Sequence, residues 1–186
     1  SSEKFYTFVD NAGNVTDQTA YTAFSNVNNE LATIAPVYSA FEWKGIILGI
    51  GAGNKYSNPD YEAYNRVKGQ LSVGGKNYEL TASDTKLISS ISKSGNFNYL
   101  MGVMEDKNGN EGYVLCNYNC FKTSMIVSNP KDVDLTLNFN TINGKTVKEV
   151  IIYNKGEATT QTVENGKLSL TLKHAEGLIV LPSKLG

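Results

Sequence analysis

Asp106, Asn108 and Asn110 stand at alternate positions, with Glu111 directly after them. Oxygen side chains spaced this way begin a calcium loop, because a hard cation needs several oxygens converging from one short segment. The resemblance to such a loop stops at its sixth position. A glycine is required there and a glutamate at the twelfth, and here the sixth residue is Glu111. The sequence therefore favours a hairpin turn chosen for its backbone, with Asn108-Gly109 supplying the strongest short hairpin signal. No metal is expected.

A second chemistry is open to the aromatic residues. Trp43 and the tyrosines Tyr56, Tyr61 and Tyr64 could each present a ring to the C–H face of a pyranose, with Asn54 or Asp60 bonding its hydroxyls. Trp43 follows a helical pattern and precedes an apolar strand, so packing between helix and sheet is the favoured expectation for it. For the three tyrosines, sugar contact and pinning of a polar loop are evenly weighed.

The remaining reactive side chains form no constellation. Cys116 and Cys120 are four apart, about 13 Å along a regular strand. A disulfide would need a bend at 117–119, and two small, mostly buried thiols are the simpler expectation. His174 is the only histidine and falls in a turn. Glu30 and Glu42 have no partner in sequence, and Asn14-Val15-Thr16 fits a glycosylation pattern but reads better as helix-cap chemistry. The chain has no glycine-rich phosphate loop, zinc spacing or nucleophile elbow, and no cofactor is expected.

The elements that must carry these residues are mainly β. The organising stretch is Tyr99–Tyr118, two strands around Asn108-Gly109. Leu100 and Met104 share one face and Met101 and Val103 the other, and the second arm is apolar on both sides as well. A strand with one wet face alternates cleanly, so both faces of this hairpin should be covered. Strands at Val133–Phe139 and Leu168–Leu172 do alternate and suit the opposing sheet. Further strands are expected at 4–9, 45–50, 70–80 (turning on Gly74-Gly75), 87–92, 147–153, 159–163 and 177–181, and a polar loop over 51–65. Before them, Tyr21, Phe24, Val27, Leu31, Ile34 and Tyr38 recur at steps of three and four. That is the stripe of a long amphipathic helix, capped by Thr16 or Asp17. Pro36 should break or kink it near Ile34-Ala35. This helix is the natural second cover for the hairpin.

The fold class is thus an antiparallel β-sandwich preceded by one long amphipathic N-terminal helix, with segments 1–44 and 45–186. With 186 residues, 40% hydrophobic and 19% charged, the chain suits one globular domain with a structured extension. A net charge of -1 without a lysine–arginine run argues against a nucleic-acid partner. No apolar run approaches the length of a membrane span. The chain opens on Ser1-Ser2 rather than Met, as a piece cut from a longer protein would.

Two stretches resemble one setting. Asn28, Asn29, Glu30, Leu31, Ile34, Ala35, Pro36 and Val37 match an "N.EL..IAPV" pattern. Gly102-Val103, Asp106, Asn108-Gly109, Gly112-Tyr113 and Asn117-Tyr118, with the later Glu176-Gly177-Leu178, match a strand pair and an "EG(apolar)" close. Together they resemble the C-terminal end of large bacterial (β/α)8 glycoside hydrolases of the β-galactosidase type. The likeness covers about two-thirds of the chain, unevenly. It implies an accessory β-sandwich after the last barrel helix, in a secreted or cell-surface enzyme. A barrel takes about 250 residues, and the paired carboxylates of such hydrolases belong to its earlier strands. The resemblance therefore implies no catalytic residue here. The expected partner is the catalytic domain of the same polypeptide, with carbohydrate as a further one and self-association through the helix face when that domain is missing. The alternatives are a stand-alone carbohydrate-binding module and an Ig-like structural or adhesion module.

Overall fold

The computed structural model describes residues 9–10, 12–50, 61–94, 98–118, 132–174 and 176–186, and for residues 61–64 the backbone alone. Outside them lie most of the strand expected at 4–9, the loop residues Asn54, Tyr56, Pro59 and Asp60, and Cys120.

Helix α1 runs Gln18–Tyr38. Of the two candidate caps, Asp17 takes the position: its backbone is extended and its carboxylate accepts from the Ala20 N–H at 2.9 Å. The break expected near Ile34-Ala35 does not occur, and Pro36 lies inside the helix. Only the last turn follows it. There Ser39 N donates to Ala35 O at 2.9 Å and Ala40 N to Val37 O at 3.1 Å, so the end is closed despite the missing proline N–H.

The chain then forms β1 (Phe41–Leu48), α2 (Tyr61–Gln70), β2 (Ser72–Val73), β3 (Lys76–Asn77) and β4 (Glu79–Leu80). A 3-10 turn, Ala82–Asp84, leads to β5 (Ile88–Lys93), the hairpin β6 (Tyr99–Asp106) and β7 (Glu111–Asn117), and β8 (Val133–Phe139). Last come β9 (Val147–Asn154), β10 (Glu157–Thr162), β11 (Lys167–Leu172) and β12 (Gly177–Leu185). Helix α2 replaces the last part of the expected loop. Its sequence signal, Pro59-Asp60 ahead of Tyr61-Glu62, is helix-start chemistry that the polar composition obscures.

A seven-stranded sheet, ordered β10-β9-β12-β7-β6-β1-β4, faces a three-stranded one, β11-β8-β5. Every pairing in the two is antiparallel except β1 with β4. The mainly-β architecture behind one long helix is therefore as the sequence leads one to expect. The opposing sheet is also as expected: Leu135, Leu137, Leu168 and Leu172 of β8 and β11 join Met101, Val103, Tyr113 and Leu115 of the hairpin in one core.

The other face of the hairpin is covered only in part, with Leu100, Val114 and Cys116 half-buried. A methyl group at Gly112 would lie 2.7 Å from Leu181 Cδ2, 3.0 Å from Met104 Cε and 3.2 Å from Phe41 Cε1. These three side chains close over the bare backbone, and Met104 is 2% exposed. The α1 stripe is not spent on this face. Phe24, Val27, Leu31 and Tyr38 are each about half exposed and Tyr21 is open as well, while Ile34 and Val37 are half-buried. The helix meets the domain along its neighbouring edge, where Gly156 lies against Thr33 and the Glu30 backbone. An apolar stripe reports what a helix is able to bury and leaves open what covers it.

Candidate functional site

The turn at Asp106 shows what its oxygens do. Asp106 Oδ1 accepts from the backbone N–H of Asn108 at 2.8 Å and Asn110 at 2.9 Å, and Oδ2 accepts from Asn110 Nδ2 at 2.8 Å. Gly109 takes the left-handed conformation (φ 81°) that closes the turn. The hydrogen bonds from Asn110 hold the Asp106 carboxyl below its usual range. The carboxylate thus serves its own turn. The same construction occurs at Asp10, which accepts from Ala12 N, Asn14 N and Asn14 Nδ2 at 2.9, 2.8 and 3.0 Å. There Gly13 has φ 87° and Val9 bridges Val15. The shared spacing Asp-x-x-Gly-Asn was visible in the sequence as a repeated turn device. Among the described residues, no group of three or more histidine, cysteine or carboxylate side chains converges as a metal site.

Glu111, the residue after that turn, has a role that sequence reasoning missed. It is 5% exposed at the start of β7. Its carboxylate accepts from Lys86 N at 2.8 Å, Leu87 N at 3.0 Å and the Tyr113 hydroxyl at 2.7 Å. One carboxylate thus fastens the 85–87 segment to the central hairpin. Outside it, Lys86 Nζ donates to Glu105 and to the Gly109 carbonyl, tying the same segment to the hairpin tip. This cluster is buried or internally paired and works as a structural clamp.

Burial and, second, the Glu111 carboxylate push the Tyr113 hydroxyl far above its ordinary range, and burial pushes Tyr99 up to about 12. The unfolded chain releases these protons near pH 10, while the fold retains them. The stabilisation is complete below about pH 10 and, for Tyr99, is lost as the pH climbs to about 12. The unfolding free energy from urea titrations is expected to fall steeply from about pH 10 towards about pH 12, by up to ~1.4 kcal/mol per pH unit for each tyrosine. Tyr99→Phe should shallow that slope; a slope unchanged by the substitution would exclude Tyr99 as a source.

The residues proposed for sugar stacking are not brought together by any described contact. Tyr56 lies outside the described residues, and Tyr61 and Tyr64 fall on the first turn of α2. Trp43 is where sequence reasoning did not favour it: 44% exposed instead of packed between helix and sandwich. Its ring stacks on Tyr78 with centroids 4.8 Å apart and planes inclined by 29°. β1 passes next to β4 here, and Tyr78, just before β4, supplies the covering ring on one side.

Of the other candidates, Glu42 is exposed and Glu30 half-buried on α1. Cys116 is half-buried and burial pushes its thiol up, which leaves it a poor nucleophile. His174 lies in the turn after β11, where its N–H donates to Asp132 Oδ1 at 3.2 Å. No described helix is long and apolar enough to cross a membrane.

No protein-family model matches this chain, and no match was found among curated proteins or among solved structures. The surface features that remain are the open α1 stripe, the Trp43–Tyr78 shelf, and a cleft where β9, β10, β11 and β12 meet.

Proposed function

We propose that this chain is the non-catalytic C-terminal accessory domain of a secreted or surface-attached bacterial glycoside hydrolase, bracing the catalytic barrel of the same polypeptide. The observation that carries this reading is the stripe Phe24, Val27, Leu31 and Tyr38, left half exposed on a helix that precedes the sandwich. Fully burying one such side chain contributes about 1.5–3 kcal/mol, so a second body covering all four would gain several kcal/mol even from their half-exposed state. The sequence resemblance to barrel-enzyme C termini names the occupant: the preceding catalytic domain. The accessory reading assigns the catalytic acid pair to that domain and none to this chain.

The test joins the chain to its upstream polypeptide and compares hydrogen exchange in α1 with that of the chain alone. Protection of residues 21–34 should rise by about tenfold or more, since covering the four side chains from their half-exposed state is worth several kcal/mol together. Equal protection would overturn the docking. The chain alone should self-associate at high concentration, and Phe24→Asp with Leu31→Asp should return it to a monomer. A strictly monomeric wild type would count against the exposed face being a docking face, and measurable aryl-glycoside turnover would overturn the non-catalytic assignment.

The Trp43–Tyr78 shelf favours a second reading, a carbohydrate-binding module. Titration with plant and host oligosaccharides should then change Trp43 fluorescence. Silence to about millimolar sugar would remove this reading.

A further inference from the structure

We infer that the end of the sandwich between the β9–β10 turn and the β11–β12 turn is a binding cleft for a neutral pyranose, such as the terminal ring of a glycan. The cleft encloses about 470 Å³, within the range of small-ligand sites. Its floor is apolar, from the core residues Ile152 and Leu178. Its rim is polar, led by Asn154, Lys155, Glu157, Lys173 and Glu176. An apolar floor under a hydrogen-bonding rim suits a sugar ring, which has a C–H face and a girdle of hydroxyls.

Three observations narrow the ligand. Asn154 Nδ2 donates to Glu176 Oε1 at 3.0 Å, yet Asn154 Oδ1 is buried without a donor. A buried acceptor left unmet is costly, and a rotation of the Asn154 side chain that brings Oδ1 to a ligand hydroxyl in the cleft would remove that cost. The rim carries two lysines and two glutamates, and Asp132 pairs with Lys173 at 3.0 Å, so carboxylates outnumber ammonium groups three to two. Glu176 Oε2 already accepts from Lys173 N at 2.8 Å. The rim therefore offers no excess of positive charge to hold an anion, and its mixed donors and acceptors suit a polyhydroxy ligand.

The third observation is the backbone at Lys155. Among the described residues, three two-residue turns place a non-glycine residue in the left-handed region ahead of a glycine: Asn143-Gly144, Lys155-Gly156 and Asn165-Gly166. Asparagine tolerates that conformation, and lysine is disfavoured in it. The exception is the turn on the cleft, where Lys155 has φ 49° and forms no ion pair among the described residues. Its ammonium is available to donate to ring hydroxyls, and Glu157 two residues on is available to accept from them. The inference stands on the cleft alone and requires neither the docking of α1 nor the Trp43 shelf. β10 and β4 form opposite edges of the seven-stranded sheet, so cleft and shelf are separable.

The experiment titrates the 15N-labelled chain with a panel of methyl pyranosides, with sodium sulfate and glycine as ionic and zwitterionic controls. Saturable shifts are expected for at least one sugar at about millimolar Kd, at the Asn154 side-chain amide and the 155–157 and 171–173 amides. Lys155→Asn should raise Tm by about 2 °C, by relieving the turn, and weaken that sugar on the order of tenfold, by removing a charged donor. Glu157→Gln should keep the fold and weaken it similarly. Three results would overturn the proposal: no shifts at the cleft up to about 50 mM sugar, shifts confined to residues around Trp43 and Tyr78, or saturation by sulfate or glycine in place of the sugars. A Lys155→Asn chain that is more stable and binds as before would show that the lysine takes no part, and would also overturn it.

Discussion

Glu111→Ala is expected to lower the unfolding free energy by about 3–5 kcal/mol, a large share of what holds a domain of this size together. The carboxylate accepts two backbone N–H groups, from Lys86 and Leu87, and the Tyr113 hydroxyl. Removing it strands three donors. Each unmet donor in such a place costs about 1–3 kcal/mol. Tyr113 is fully buried and cannot turn its hydroxyl to solvent. Glu111→Gln keeps one acceptor oxygen and turns an NH2 toward the remaining donors, so it should cost about half as much. Urea unfolding followed by circular dichroism measures both. Hydrogen exchange supplies the local signature: the Lys86 and Leu87 amides should speed up first, while the β8 and β11 amides follow only global unfolding. An alanine variant with an unchanged midpoint would show that the clamp contributes nothing.

Gly49→Ala is the second large effect, about 3 kcal/mol or more, and its origin is space alone. A methyl group built there would sit 2.1 Å from Tyr99 Cε1 and 2.2 Å from Cδ1. The glycine cannot draw back, because its N–H donates to Tyr99 O at 2.9 Å and its carbonyl accepts from Lys93 Nζ at 2.9 Å. The ring cannot swing out freely either: Tyr99 is 6% exposed, at the start of the central hairpin. Tyr99→Leu in the same chain should recover part of the loss, giving a coupling of about 1–2 kcal/mol in a double-mutant cycle. Strictly additive costs would mean that the collision is absorbed elsewhere. The sequence places Gly49 near the end of the strand expected at 45–50, and only the placement of Tyr99 over it makes this glycine a packing requirement.

Much of the fold was legible because it is written in local patterns. Val133, Leu135 and Leu137 alternate with polar neighbours, as do Leu168, Leu170 and Leu172, and each set is buried in the core. Strand period is a property of the backbone itself, so the pattern survives any topology. Asn143-Gly144 and Asn165-Gly166 are turns for an equally local reason, the tolerance of asparagine and glycine for positive φ, and at Asn108-Gly109 the glycine alone supplies it. Of the hairpin's two apolar faces, the one with Met101, Val103, Tyr113 and Leu115 is fully buried, while Leu100, Val114 and Cys116 on the other are half-buried. Pro36 misled because the helix carries on through it to Tyr38, and Ser39 N and Ala40 N then close the end on the Ala35 and Val37 carbonyls.

The candidate sites were less legible. Glu111 reads as an ordinary turn-flanking carboxylate, because its donors at 86 and 87 lie about 25 residues back in the chain. The cleft joins residues of β9, β10, β11 and β12 whose meeting depends on β12 pairing with both β7 and β9. Such pairings set which strands become neighbours, and no strand carries the name of its partner in its own periodicity.

By itself, the sequence determined that this protein has one amphipathic helix ahead of a mainly antiparallel β domain, with its turns at defined Asn/Gly pairs and its most apolar hairpin at the centre. Those are consequences of dihedral preference and side-chain period, which act over a few residues. The tertiary structure alone decided which apolar surface stayed open. It packed Phe41, Met104 and Leu181 over Gly112 on the second face of the hairpin and left the stripe of α1 about half exposed. That outcome depends on how two surfaces compete for the same cover, a balance of packing across the whole domain that no single stretch of residues encodes.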